Sequence, residues 1–366
     1  MYNSYRGKSR SRDDFLVVCL VVLSILLAVL IAVFIAVKAS DGKDPSDDPG
    51  ESSSDVGVQG PAESGSTGES QGKDDPDPVT LPSWQVQTRD PKAFIPQSTD
   101  SSVNLSNSEI NARHAIMVEL KTHKVVCQYK PDEKMYPASM TKVMTAIVAC
   151  DLIEDMFDTF TLTLDILNPL YNEGASMAYF KTDSKIPYID LLYGALLPSG
   201  ADATAGLAIG LCGSEEEFVK LMNKKALELG CYGTHFTNPS GLHDEEHYST
   251  ARDMATIMAY AADVPLLKAI MSTKSYKPFS YVDTADGYMY CTWSARLHGR
   301  ESKVATMFAA KTGYTPEALQ CLVSISRASD GKEYVIVTAG GSTTAQTDGK
   351  YAPYLDAKHL CNTYIK

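Results

Sequence analysis

The stretch "PASMTKVMTAIVACDLI", residues 137–153, decides the fold. Its apolar residues recur at helical spacing from Met140 through Ile147. Ser139 and Lys142 open that helix, nearly one turn apart and on one face. Ser-x-x-Lys occurs three more times, at Ser40/Lys43, Ser70/Lys73 and Ser329/Lys332. The first two lie in a polar acidic stretch and the third in an Asp-Gly turn, so only Ser139/Lys142 starts an apolar helix. A polar helix start is the plain reading of the pair. The chemical reading is that a serine hydroxyl becomes a nucleophile once a base takes its proton. Lysine serves as that base only when neutral. Its pKa must then fall by about three units from ~10.4, worth roughly 4 kcal/mol of desolvation and like-charge repulsion. First-turn backbone N–H groups lack helical partners and can steady an oxyanion beside the serine.

Before this helix, "ARHAIMVEL" and "KVVCQYK" are apolar runs around Lys121-Thr122-His123 and predict a hairpin. After it, "YIDLLYGALL" predicts a helix that stops at Pro198 and Ser199, and "ADATAGLAIGLC" resumes as a small-residue helix. "SEEEFVKLMNKKALELG" carries Ser214 as cap, Glu217 at the capping-box position and Gly230 as a stop. "STARDMATIMAYAAD" opens on a second capping box, Thr250 to Asp253, where Arg252 and Asp253 are expected to cap and pin the helix. Three β-like runs follow, "MFAAKTGY", "LQCLVSISRA" and "EYVIVTAGG", with Asp330-Gly331 as the last turn. "APYLDAKHLCNTYI" closes as a helix. The expected fold class is α/β of the α+β kind. One antiparallel sheet is flanked by helices and interrupted by an all-α insertion.

The rest of the chain is not globular. Residues 15–37 carry no charge and span roughly 35 Å as a helix, enough to cross a bilayer core. Arg6, Lys8, Arg10 and Arg12 precede the run, so the N-terminus is expected in the cytoplasm and the bulk of the chain outside the cell membrane. A cleaved signal peptide is the alternative to this single-pass anchor. Residues 38–78 hold eleven acids against three lysines, a net −8 of the chain's −12. They are too polar to fold. The expected organisation is a cytoplasmic tail at 1–14, a transmembrane anchor at 15–37, a disordered acidic linker at 38–107 and a folded domain at 108–366. A flexible tether of roughly 70 residues averages about 45–50 Å. Seven of the eight cysteines lie outside the apolar run, most among apolar neighbours, and read as buried free thiols, with one unassigned disulfide as the alternative. No basic patch or glycine-rich phosphate loop suggests nucleic acid or nucleotide.

Two further features stand downstream of Ser139. "LLPSGADA" breaks two helices and places Ser199 in a buried-looking loop. "KTG", Lys311-Thr312-Gly313, lies in an apolar strand, where a bare glycine lets a ligand approach the strand edge. Lys311 is a candidate second cation near Lys142.

With these in order, residues 108–366 strongly resemble the serine D-Ala-D-Ala carboxypeptidases, the low-molecular-mass penicillin-binding proteins. "PASMTKVMTA", "DLLYGALLPSGADA", "MNKKALELGCYGTHFTNPSGLHDEEHYSTARDMA" and "KTGYTPEALQCLVS" match that family's stretches in order. The resemblance implies the penicillin-recognising serine transpeptidase-like fold and no cofactor. It implies that Ser139 attacks the carbonyl between the terminal D-alanines of a peptidoglycan stem peptide and that Lys142 accepts its proton. Ser199 would relay a proton to the leaving amine. Lys311 and Thr312 would hold the terminal carboxylate, with Gly313 beside them. The N–H groups of Ser139 and Tyr314 would form the oxyanion hole. Water would release the acyl-enzyme, and β-lactams would acylate the same serine. The N-terminal segment is expected to replace the C-terminal amphipathic anchor of such proteins, and no extra β domain is expected.

Two positions depart from the family pattern. Ser-x-Asn becomes Ser199-Gly200-Ala201, which removes an amide, and Asp202 one place on points elsewhere on the helix. Leu319 stands where a glycine is common and is expected to touch packing alone. With Ala201, a catalytically weak or inactive cell-wall sensor or scaffold is an alternative, as is a β-lactamase with similar triplets. His243-Asp-Glu-Glu-His247 fits a zinc-peptidase pattern that needs a helix, but its flanks predict a loop, so no metal site is expected.

Overall fold

Strands β1 (Val103–Asn104), β2 (His114–Glu119) and β3 (Val125–Tyr129) lead into helix α1 (Lys142–Leu152). The middle of the chain builds β4 (Thr159–Thr161), α2 (Leu164–Asn172), β5 (Lys185–Pro187), α3 (Tyr188–Leu196), α4 (Ala201–Cys212), α5 (Glu215–Glu228), α6 (Ala251–Asp263), α7 (Pro265–Ser272), β6 (Ser275–Tyr276), β7 (Met289–Tyr290) and α8 (Ser294–Leu297). Strands β8 (Ala305–Thr315), β9 (Leu319–Ala328) and β10 (Glu333–Gly341) follow, and α9 (Ala352–Tyr364) ends the series. The structure is a computed structural model that describes residues 81–84, 90–342 and 352–365. The apolar run at 15–37 and most of the acidic linker lie outside the described residues.

The main sheet has six strands in the order β1-β3-β2-β10-β9-β8. The predicted hairpin is the β2–β3 pair, and the three late runs are β8, β9 and β10, all antiparallel. Residues 334–339 of β10 are all buried, so both faces of the sheet are covered. Thr338 Oγ1 donates to Pro353 O of α9 (3.2 Å), which places α9 on that face. Near-continuous apolar strands are the pattern of a sheet buried on both sides. The caps stand where the sequence placed them. Ser214 Oγ accepts from Glu217 N (3.2 Å) and Thr250 Oγ1 from Asp253 N (3.0 Å). Arg252 pins α6 by donating to Asp132 (2.6 Å) and Gln128 (3.1 Å). No disulfide joins the described cysteines. Six are buried and Cys212 is half-buried.

Three expectations need correction. The linker does not run to residue 107, because Phe94 and Leu105 are buried in the core and β1 pairs with β3. That pairing is parallel, so the sheet is not purely antiparallel. The insertion is not all-α: β4 pairs with β5 and β6 with β7 in two small ladders. Strands of two or three residues are too short to show a period-2 pattern in sequence.

β8 is an edge strand of the main sheet, and it carries Lys311 to Tyr314. The 3₁₀ turn Ala138–Thr141 lies against it, since a Cβ on Gly313 would fall 3.1 Å from Ser139 N.

Candidate active site

Ser139 sits in the 3₁₀ turn that precedes α1, after Ala138 in the left-handed region at φ 47. In a 3₁₀ turn side chains three apart eclipse, which brings Lys142 directly over Ser139. Lys142 Nζ donates to Ser139 Oγ (3.1 Å) and to the carbonyl of Ser240. Ser139 is half-buried, but Lys142 is 2% exposed. Burial pulls the Lys142 amine down to about 7, with the charge of Asp202 pulling the other way.

The second half of the site is built on Ser199 and Lys311. Ser199 follows the broken end of α3 and takes a left-handed φ of 69, which a non-glycine residue holds only under tertiary constraint. Lys311 Nζ donates to Ser199 Oγ (2.8 Å) and to Thr312 O (2.8 Å). Lys311 is fully buried. Burial holds its amine well below the usual lysine range, with the charge of Lys142 adding to the effect. Repulsion between the two buried amines is mutual, so a charge on either one disfavours a charge on the other.

Thr312 Oγ1 lies 2.8 Å from Thr292 Oγ1, and Tyr314 is exposed. All seven predicted residues therefore surround one place, where edge strand β8, the Ser139 turn and the Ser199 loop meet. Ala201 is buried at the first turn of α4. Asp202 accepts from the N–H groups of Ala178 (2.8 Å), Tyr179 (3.0 Å) and Ala203 (2.9 Å), so it does point elsewhere. Burial pushes its carboxyl upward, against those N–H groups.

Two residues that hold the site were given no role there by the sequence reading. Asn238 Oδ1 accepts from Ser240 N (3.2 Å) and Gly241 N (2.7 Å), fixing the loop whose carbonyl receives Lys142. His247 Nδ1 accepts from Thr237 N (3.1 Å), so its Nε2–H donates to Thr141 Oγ1 (2.8 Å), between Ser139 and Lys142. Burial pushes His247 down to about 4, which keeps it neutral. His243 instead packs edge-on against Tyr136, 4.8 Å between ring centroids, so the two histidines address different elements. Leu319 is corrected too. Its φ of 57 is left-handed, so the position constrains the backbone as well as packing.

Residues 100–343 match the sequence model of a family described as D-alanyl-D-alanine carboxypeptidase, peptidase S11. The chain belongs to that family. Among its relatives, D-alanyl-D-alanine carboxypeptidase DacF of Bacillus subtilis is 32% identical over 269 residues, which is 73% of this chain and 66% of DacF. Against DacA of Haemophilus influenzae the identity is 28%, over 69% of this chain and 62% of the relative. The chain thus spans less than two thirds of the length of these curated relatives. A solved D-alanyl-D-alanine carboxypeptidase from Mycobacterium tuberculosis superposes with a TM-score of 0.60 at 26% identity, covering 72% of this chain and 94% of that one. A variant of a Streptomyces DD-transpeptidase gives 0.61 at 26%, covering 70% and 98%. The peptidase S11 fold is thus a mixed α/β, penicillin-binding transpeptidase-like fold, a sheet flanked by helices.

Proposed function

We propose that this chain is a serine-type D-Ala-D-Ala carboxypeptidase that trims the terminal D-alanine from peptidoglycan stem peptides. The observation that carries the reading is the Lys142 amine, buried and 3.1 Å from Ser139 Oγ. Ser139 Oγ attacks the penultimate carbonyl carbon, and its proton passes to neutral Lys142. The tetrahedral oxyanion is held by the N–H groups of Ser139 and Tyr314 on strand β8. Ser199 relays a proton to the amine of the departing D-alanine as the C–N bond breaks. Water then cleaves the Ser139 ester. Lys311 and Thr312 receive the substrate's terminal carboxylate. That carboxylate favours the charged amine and restores the proton that burial disfavours on Lys311. β-Lactams acylate Ser139 by the same attack. The proposed setting is the outer side of a cell membrane, with residues 15–37 as the anchor, supported by the basic flank before the apolar run.

Incubating the full chain with a D-Ala-D-Ala peptide should release free D-alanine, and labelled penicillin should mark Ser139. No release and no adduct would reject the reading. The acylation rate should climb with pH, half-maximal near 7, because Lys142 must lose its proton first. A rate that is flat from about pH 5 to 9, across the neutral range where such a base titrates, would remove Lys142 as the base.

Ala201 favours a second reading, a slow enzyme or a penicillin-binding sensor. The missing amide would have bonded the lysine and the substrate backbone. On this reading Ala201→Asn should raise D-alanine release by about tenfold or more. An unchanged rate would show that the native site is not limited there. Rapid turnover of a β-lactam in place of a long-lived adduct would instead indicate a β-lactamase.

A further inference from the structure

A cavity of about 250 Å³ opens at the end of the main sheet where β2 begins and β8 and β10 finish. Arg113 and His114 line it at the start of β2, Lys134 and Tyr136 on the approach to Ser139, Glu317 in the β8–β9 turn and Gly340 in β10. None of these residues acts in the proposed reaction. The cavity adjoins the reactive turn all the same. Tyr136 stands three residues before Ser139, and its carbonyl accepts from Cys321 Sγ (3.8 Å) on β9. His243 spans the rim, edge-on to Tyr136 and 3.8 Å from Glu317.

Two observations point to a ligand. The first is His114. It is 9% exposed, and its Nδ1 lies 3.2 Å from the carbonyl of Lys130. A carbonyl only accepts, so Nδ1 carries the proton and Nε2 of the neutral ring keeps a lone pair. Burial holds the imidazole below its usual range, which keeps it neutral at pH 7. Nε2 has no partner among the described residues, although a buried polar atom ordinarily has one. The second is Arg113. A Cβ on Gly340 would fall 2.9 Å from Arg113 Cβ and 3.1 Å from its Cγ and Cδ. The glycine lets the Arg113 stem lie across the strand end. The guanidinium it delivers has no hydrogen bond or ion pair among the described residues.

The lining selects its occupant by charge. Arg113 and Lys134 bring positive donors, and Lys134 Nζ is fixed at the rim by the Glu245 carbonyl (3.1 Å) and the Tyr248 ring (4.1 Å to its centroid). Glu317 and His114 Nε2 bring acceptors. An inorganic anion would meet the Glu317 carboxylate and the Nε2 lone pair, and a bare amine would meet two cations. A group with an ammonium and a carboxylate on one carbon satisfies both sets. We propose that this cavity binds a zwitterionic α-amino-acid head, with its ammonium on Glu317 and His114 Nε2 and its carboxylate on Arg113 and Lys134. The head has two sources, a free amino acid or the end of a peptide side chain. The peptide source rests on the proposed function. With the terminal carboxylate at Lys311 and Thr312 and the scissile carbonyl at Tyr314, earlier residues of the peptide run along β8 toward Glu317.

The test titrates the full chain in detergent with free meso-diaminopimelate and with D-alanine, read by calorimetry. Binding should resist competition by succinate, which lacks the ammonium, and by cadaverine, which lacks the carboxylate. Glu317→Gln, Arg113→Met and His114→Asn should each weaken it by about tenfold or more. The first two positions are exposed, so those variants should fold, and the asparagine keeps an N–H for the Lys130 carbonyl while removing the Nε2 acceptor. Equal binding of succinate makes this a plain anion site and overturns the proposal, as does wild-type affinity in all three variants. The kinetic arm compares D-Ala-D-Ala peptides whose preceding residue is meso-diaminopimelate or L-lysine. A KM about tenfold lower for the diaminopimelate peptide, lost in Arg113→Met with kcat unchanged, assigns the head to the substrate. Equal KM values with binding of a free amino acid assign it to a free ligand. Binding that the variants weaken, with no D-alanine release from either peptide, supports the cavity and sinks the carboxypeptidase reading. Release with equal KM values and no binding of either amino acid sinks the cavity alone.

Discussion

Lys142→Met is expected to abolish acylation of Ser139 and at the same time make the domain melt higher. Removing a positioned general base costs on the order of 10²–10⁴ in rate, and groups acting as one unit lose about as much singly as together. The stability effect follows from the same burial. An amine moved from 10.5 to about 7 by desolvation opposes folding by on the order of 4 kcal/mol at neutral pH. Methionine has similar length and no charge to desolvate. It leaves the Ser240 carbonyl without its Lys142 donor, a loss of about 1–3 kcal/mol. The balance favours the variant, and each kcal/mol raises Tm by roughly 2–4 °C in a domain of this size. The sign with pH is definite. Between about 7 and 10.5 the unfolded chain binds the Lys142 proton and the folded chain does not. Wild-type stability therefore gains from this group as pH rises through that window, and the variant loses that slope. Thermal melts at about pH 6.5 and 9.5, read beside penicillin labelling, check both claims, with the larger stability gap at the lower pH. A variant that melts below wild type at the lower pH would mean the charged amine stabilises the fold.

Sequence reading reached the Ser139–Lys142 contact because each partner is announced by local structure. Ser139 and Lys142 are three apart at a helix start, and Lys311 stands in a strand whose apolar neighbours give away its burial. The capped helices α5 and α6 were legible because Ser214 and Thr250 advertise their caps. What stayed hidden belongs to the backbone or to long-range contact. The carbonyl of Ser240 receives Lys142 from 98 residues away, and a carbonyl carries no residue identity. The left-handed φ of Ala138, Ser199 and Tyr179 contradicts local preference, and only tertiary constraint enforces it. Thr292 meets Thr312 across a loop with no motif of its own. The fold around residues 90–107 was masked by composition, since polar residues surround Phe94 and Leu105.

Gly241→Ala is expected to remove both the folded stability of the domain and the reactivity of Ser139. Gly241 has a φ of 80, so any side chain there meets the left-handed cost of about 1–2 kcal/mol. Space is the larger problem. An added Cβ would lie 2.0 Å from Ala138 O, 2.4 Å from Ala138 C and 2.9 Å from Ser139 N. These are backbone atoms, so relief requires either the Asn238–Leu242 loop or the Ser139 turn to move. The turn cannot retreat freely, because β8 presses on it from elsewhere, with a Gly313 Cβ position 2.9 Å from Pro137 O and 3.1 Å from Ser139 N. The loop cannot retreat without breaking the Asn238 bonds to Ser240 and Gly241 and withdrawing the carbonyl from Lys142. Either displacement opens the 3.1 Å contact between Lys142 and Ser139. Strain, overlap and lost hydrogen bonds together exceed about 4 kcal/mol, the range reserved for backbone clashes and broken buried networks. Tm should fall by roughly 8 °C or more. Penicillin labelling of the fraction still folded at low temperature should drop by about a hundredfold, the penalty of an ångström-scale misplacement. A Gly241→Ala protein that melts and labels like wild type would show that the loop does not bear on Ser139, and Lys142 would then need another explanation for its burial.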